Sequence, residues 1–274
     1  MQAYQEQLMR DGFTVVPPEI LAANELCAAL LGAVLLRART GDESPDINRC
    51  TEYLYPDNPA GQQLFYLLAQ GRPFVEAVEH PSHLALVKYL IHDAIVSSVT
   101  ASLKGPGKVA LPLHADQPVH PSPRSLVCTS AFLLTPMSPA LGGLCFVPGS
   151  HNQLTQPPPS QRSLTAHSNL ASIKAPAGSL VVWHANTWHG AHPRSKPGIR
   201  VALLVHWCSS ILRPQEPYRE LLSDEIIAAG SEGFPELLGS SIQYGWTAEG
   251  PERAPGAAFT TARARKNANT DCGR

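Results

Sequence analysis

The chain has 274 residues, 43% of them hydrophobic and only 16% charged, with a formal net charge of -1. This balance excludes a disordered or polyelectrolyte chain and gives no electrostatic pull toward nucleic acid or an anionic membrane, so the expected partner is a small molecule. Twenty-six prolines point to many turns and edges and count against a helical bundle.

The first seven or so residues after Met1-Gln2-Ala3 read as a short helix, Tyr4 to Arg10, stopped by Asp11-Gly12. Phe13 to Val16 reads as a strand closed by Pro17-Pro18, and Ala22 to Arg37 as a helix rich in Ala and Leu that packs on a sheet. Thr40 to Ala60 is expected to be a long loop of the kind that forms lids. Short helices are expected at Gln62 to Leu68, Phe74 to Val78 and Ser82 to Ile91, the last opened by Pro81.

From Ala94 the pattern changes to short strands between Gly and Pro turns: Ile95 to Ala101, Leu126 to Leu134, Leu144 to Val147, Ser172 to Lys174, Leu180 to Trp183 and Ile199 to Trp207. Such spacing argues for a β-sandwich or jelly roll, and the expected fold class is mainly β with flanking α-helices on a double-stranded β-helix (jelly-roll, cupin-like) core. One domain is expected over 1–247, with a helical N-terminal part over 1–93 and the β-helix core over 94–210. Within it Glu216 to Ala229 and Phe234 to Tyr244 hold weaker elements, and 248–274 reads as a flexible C-terminal tail.

Six scattered cysteines, Cys27, Cys50, Cys128, Cys145, Cys208 and Cys272, form no Cys-x-x-Cys pair. They read as reduced thiols, several of them core residues. The N-terminus has no basic region followed by an apolar run, and no stretch is long enough to span a membrane, so a cytoplasmic protein is expected.

The residues richest in chemistry begin at Leu113-His114-Ala115-Asp116-Gln117. In an extended strand His114 and Asp116 would share a face with Cα atoms roughly 6.5 Å apart, a spacing that suits two ligands of one metal. A His-x-Asp triplet is common by chance, and a buried histidine bonded to an aspartate is the ordinary alternative. A third ligand has to come from elsewhere. His189, presented by Trp188-His189-Gly190, is the leading candidate, with His184 and His192 as competitors. Two histidines and a carboxylate make the facial triad of non-haem Fe(II) oxygenases. In the strand Ile199 to Val205, Arg200, Ala202 and Leu204 share one face. No acidic residue occurs between Asp116 and Arg213, so a buried Arg200 would need an anionic ligand such as a dicarboxylate, whereas a surface Arg200 would not.

Several segments, in order, resemble the phytanoyl-CoA dioxygenase family of Fe(II)/2-oxoglutarate-dependent oxygenases over about Asp11 to Trp207. They are Asp11 to Val16, Leu113 to Gln117, the run Leu141 to His151 ending in Pro-Gly-Ser-His, and Gly178 to Arg200. The resemblance implies iron ligands at His114, Asp116 and His189, and Arg200 on the distal carboxylate of 2-oxoglutarate. It also implies an aromatic contact to that cosubstrate at Phe132. Ala191 stands where some members carry a serine, so Arg200 needs a different hydroxyl beside it, and a lysine that some members supply from the N-terminal region has no counterpart. The implied cofactors are Fe(II), 2-oxoglutarate and O₂. The implied activity is oxidation of a C–H bond of a small, largely apolar metabolite, coupled to decarboxylation of 2-oxoglutarate to succinate. Natural-product biosynthesis is the expected setting, and hydroxylation leads over desaturation, epimerisation or cyclisation. Asp116 disfavours halogenation, and the lack of a basic cluster disfavours a CoA thioester.

His151 is expected to be a turn residue, and Trp183 and Trp188 to be packing residues. His120 and His206 are expected at most to line the pocket, His167 to have no part in it, and Gln156 to Gln161 to form a stiff connector, with a place on the pocket rim as the lesser alternative. The rival readings are a cupin-like Zn²⁺ hydrolase or isomerase and a non-catalytic binding protein on the same fold.

Overall fold

The N-terminal helix α1 (Gln2–Asp11) ends where Gly12 takes a φ of 83°, and the chain turns directly into strand β1 (Phe13–Val16). A computed structural model describes residues 1–38, 61–116, 125–240, 246–247 and 250–251. The expected lid over Thr40 to Ala60 and most of the expected tail lie outside the described residues, as do His120, Cys50 and Cys272.

After β1 come a single turn, α2 (Pro18–Leu21), and the long helix α3 (Asn24–Arg37). Gln62 to Leu68 does not form the expected helix. Gln62–Leu64 is strand β2, followed by a 3-10 turn at Leu67–Gln70. Its residues are good helix formers, but pairing with the sheet edge at Leu103, Ser102 and Ala101 overrides that preference. Helices α4 (Arg72–Glu79) and α5 (Pro81–Leu90) then lead into β3 (Ala94–Lys104) and β4 (Leu111–His114). The remaining strands are β5 (Val127–Leu133), β6 (Leu144–Phe146), β7 (Ala171–Ser172), β8 (Leu180–His184), β9 (His189–Ala191) and β10 (Arg200–Ser209). The expected helix over Glu216 to Ala229 is two short ones, α6 (Tyr218–Leu221) and α7 (Asp224–Ala228), and α8 (Phe234–Leu237) follows. A last short hairpin pairs Trp246–Thr247 with Gly250–Pro251.

Two antiparallel sheets make the jelly roll. The larger runs β1-β8-β5-β10-β3-β2 and the smaller β4-β9-β6-β7. Strands β1 and β2, from the region expected to be helical, close the two edges of the larger sheet. Period-two alternation divides each central strand between two cores. On β5, Phe132 packs toward the helices with Leu30, Val34, Phe74 and Leu86, while Ala131 and Leu133 face the smaller sheet. On β10, Val201, Leu203 and Val205 take the helix side and Ala202 and Leu204 the inner side. β3 is buried at every position because both of its faces are covered. Four free cysteines, Cys27, Cys128, Cys145 and Cys208, are buried, and burial pushes their thiols up. Among the described residues no helix is long and apolar enough to cross a membrane.

Candidate metal centre

His114 ends β4 and His189 begins β9, and the two are direct cross-strand partners. Asp116 lies beyond the end of β4, so strand alternation is not what brings it to His114. Its backbone N–H instead donates to Ala185 O at 2.8 Å, which ties it to the segment leading to His189. Asp116 Oδ1 then stands 3.7 Å from His114 Nε2 and 3.5 Å from His189 Nε2. Among the described residues these three form the group of potential metal donors whose ligand atoms lie within 4.8 Å of one another.

The hydrogen bonds around the three side chains leave the converging atoms bare. His114 Nδ1 donates to Pro112 O and His189 Nδ1 to Thr187 O, each at 2.9 Å. That pattern places the proton on Nδ1 and the lone pair on Nε2, the form that ligates a cation. Asp116 Oδ2 accepts from Thr129 Oγ1 at 2.9 Å and from Trp183 Nε1 at 3.0 Å, so Oδ1 is the oxygen left for the centre. Burial works against ionisation of Asp116. The imidazoles of His189, His206 and His114 and the Thr129 hydroxyl outweigh it and hold the carboxyl below its usual range. Burial also pushes the His189 imidazole down, against the pull of Asp116. A neutral imidazole and an ionised carboxylate are the states a metal needs.

The backbone under the ligands is clamped from several sides. Gln156 donates from Nε2 to Ala115 O at 2.7 Å and accepts at Oε1 from Ala115 N at 2.9 Å, gripping the peptide between His114 and Asp116. The loop that begins at Gln156 therefore reaches the site, closer to the lesser reading as pocket rim than to that of a connector. Ser150 Oγ accepts from Trp188 N at 2.8 Å, and Trp188 Nε1 donates to Thr155 O. Gly190 is required by close approach: a Cβ there would meet Leu111 O at 2.5 Å. The Pro-Gly-Ser-His run and the segment from His184 to Thr187 both bond to the N-terminal segment behind the site. Gly149 N donates to Asp11 O, His151 Nε2 to Met9 O, and Gly12 O accepts from His184 N and Thr187 Oγ1. His151 is thus an anchor for the N-terminal helix.

The triad opens onto a cavity of about 210 Å³. Its walls are Leu111, Met137, Leu144, Trp183, Ala191, Ala202 and Leu204, with Gln63, Ser102, Arg200 and His206 as the other polar members. Arg200 is 5% exposed, and burial followed by the proximity of Arg194 pushes its guanidinium down to about 10. It donates to Gly142 O at 2.7 Å and to Ser102 Oγ at 2.8 Å, so the hydroxyl beside it is that of Ser102. Its buried Nε has no hydrogen-bond partner, and among the described residues no carboxylate pairs with it. Lys104 stands opposite Arg200 in the sheet register, and burial together with Arg200 pushes its ammonium down to about 8. A buried cation without an acid is costly, which fits a site built for a ligand carboxylate.

Phe132 is not brought to this cavity. It lies on the helix side of β5, edge-on to His83 at 5.2 Å between ring centroids. His184 accepts from Asn186 N, and His192 shares a hydrogen bond with Ser172, so neither competitor joins the triad. His167 is bonded to Gln161 O. Trp183 proves to be both a cavity wall and the partner of Asp116. Thr129, Gln156 and Ser102 went unread in the sequence. The one available signal was Thr129, a hydroxyl on the face of β5 that it shares with the apolar Ala131 and Leu133.

A family model described as Phytanoyl-CoA dioxygenase (PhyH) matches residues 8–202. Dioxygenase af480 of Aspergillus fumigatus is 27% identical over 247 residues, covering 88% of this chain and 77% of that protein. Among solved structures, the epimerase SnoN in complex with Fe3+, alpha ketoglutarate and nogalamycin RO superposes with a TM-score of 0.59 at 20% identity, over 78% of this chain and 86% of that one. HygX from Streptomyces hygroscopicus with nickel and 2-oxoglutarate bound gives a TM-score of 0.62 at 16% identity, over 78% and 89%.

Proposed function

The chain belongs to the phytanoyl-CoA dioxygenase family, and on that premise we propose that it is an Fe(II)- and 2-oxoglutarate-dependent dioxygenase. Its substrate is a small, largely apolar metabolite oxidised at a C–H bond, in natural-product biosynthesis. The observation that carries this reading is the convergence of two bare Nε2 atoms and one bare carboxylate oxygen on a cavity that also holds a buried, acid-free arginine. His114, Asp116 and His189 would hold the metal on one face, and Arg200 would grip the distal carboxylate of 2-oxoglutarate. When bound, iron and cosubstrate supply the oxidising chemistry, in which O₂ is consumed, 2-oxoglutarate becomes succinate and CO₂, and the substrate C–H bond is oxidised.

The chain's own contribution is binding, orientation and exclusion. Pro112 O and Thr187 O fix the imidazole tautomers, while Thr129 and Trp183 fix the carboxylate. Asp116 fills the position that would have to be vacated for a halide. The apolar walls keep water from the reacting centre and favour a substrate of the same character. Hydroxylation is the leading outcome. The epimerase and the carbocyclase that share the fold keep epimerisation and ring formation within its range. A zinc hydrolase would leave Arg200 without a task.

The test is substrate-independent conversion of 2-oxoglutarate to succinate in the presence of Fe(II). His114→Ala and His189→Ala are expected to abolish it, and unchanged succinate formation in both would sink the assignment.

A further inference from the structure

His206 lines the same cavity as the triad, and the proposed oxygenase chemistry gives it no task. It is the cross-strand partner of Thr129 in the pairing of β10 with β5. Thr129 Oγ1 lies 2.9 Å from Asp116 Oδ2 and 3.2 Å from His206 Nδ1. A hydroxyl has one hydrogen. The ionised carboxylate, an acceptor only, takes it, so the second bond must run from His206 Nδ1–H to the Thr129 oxygen. The proton of this half-buried imidazole therefore sits on Nδ1. Nε2 carries a lone pair and has no hydrogen-bond partner among the described residues.

That lone pair has little use for the proposed cosubstrate. 2-Oxoglutarate at neutral pH is a dianion with acceptors only, so it cannot satisfy a bare imidazole nitrogen. The two groups are also apart: six residues of extended strand put Arg200 and His206 roughly 20 Å from each other along β10. Between them Ala202 and Leu204 offer only apolar surface. An acceptor at the far end of an apolar cavity discriminates through the cost of leaving it unpaired, so it rejects molecules that merely fit.

We propose that His206 presents Nε2 to the cavity as a hydrogen-bond acceptor and selects substrates that carry an O–H or N–H donor beside the C–H bond to be oxidised. The proposal rests on the oxygenase reading for the word substrate, but not for the geometry. Thr129 links the acceptor to the iron centre. By donating to Asp116 it obliges His206 to point its own N–H away from the cavity, so metal ligand and substrate acceptor are set by one hydroxyl.

The test uses ¹⁵N-labelled histidine in the metal-free full-length chain, where a protonated ring nitrogen and a bare one give distinct signals. The bare signal of His206 is expected at Nε2, and in Thr129→Val this preference is expected to fall away. Phenol and anisole serve as probes, since anisole carries a methyl group in place of the donor hydrogen. Phenol is expected to shift the Nε2 signal and to bind about tenfold more tightly than anisole, as one hydrogen bond to a buried acceptor implies. In His206→Phe the two probes are expected to bind alike. A proton on Nε2 in the wild-type chain, or an Nε2 signal that phenol leaves unmoved, overturns the proposal. Because these signals are read without metal, failure here leaves the iron reading standing, and failure of the iron reading leaves these signals in place.

Discussion

Trp183 and Thr129 donate to the same oxygen of Asp116, at 3.0 and 2.9 Å, and so decide which carboxylate oxygen faces the two histidines. Trp183 comes from β8 and Thr129 from β5, which are register partners. Asp116 is thus oriented by the larger sheet although it follows a strand of the smaller one. Removing the indole N–H while keeping the ring bulk isolates this contribution. Trp183→Phe is expected to weaken metal binding between about tenfold and a hundredfold, the usual effect of losing an orienting partner. Titration with Co(II) as a spectroscopic stand-in measures it, and wild-type affinity would remove the orienting role.

Gln156 replaces strand pairing just where β4 stops. Its two hydrogen bonds to Ala115 do what a neighbouring strand would do, holding the peptide between His114 and Asp116. Gln156→Ala is expected to lower metal affinity about tenfold and to lower stability by about 1–3 kcal/mol, since both peptide groups lose their partner. Metal titration and chemical denaturation read the two effects separately. A stability loss with unchanged metal affinity would make Gln156 a loop anchor only.

The five site positions implied by the family resemblance fare differently once the strands are drawn. His114, Asp116, His189 and Arg200 come together around one cavity, and their motifs were legible because each is a local run with its own turn chemistry. Phe132 is implied by the resemblance alone, and strand parity turns it away from the cavity. β5 pairs Leu133 with Ala202 and Phe132 with Leu203, and Leu203 faces the helices. A neighbouring inward position, Thr129, holds the functional side chain. Gln156 and Ser102 reach the site through loop and sheet contacts that no local pattern encodes. Gln62 to Leu64 was missed because an edge strand is defined by its partner, here β3.

Acid stability should report on a different buried histidine. His83 is 0% exposed, with Nδ1 donating to Ala77 O and Nε2 accepting from Ser130 Oγ and Trp207 Nε1. Burial, only partly offset by the Ala77 bond, pushes its imidazole down to about 4. The unfolded chain binds this proton near pH 6.5 and the folded chain near pH 4, so between them the unfolded state holds more protons. Stability from this group is fully present above about pH 6.5 and is lost as pH falls toward 4, a contribution of roughly 3 kcal/mol. His184, also lowered to about 4 by burial and then by His151, acts in the same direction. Urea unfolding of the chelator-treated protein across this range should show the decline, and His83→Gln should flatten it. A wild-type stability that is level from pH 7 to pH 4 would contradict the account.

The most direct measurement is anaerobic addition of Fe(II) and then 2-oxoglutarate, followed by the visible metal-to-ligand charge-transfer band. It tests the triad and the arginine together without a known substrate. The wild-type protein is expected to develop the band, His189→Ala to lack it, and Arg200→Leu to need much more 2-oxoglutarate to reach it. A wild-type protein that develops no band, or a His189→Ala variant that develops it unchanged, would contradict the central claim that these residues build an iron and 2-oxoglutarate site.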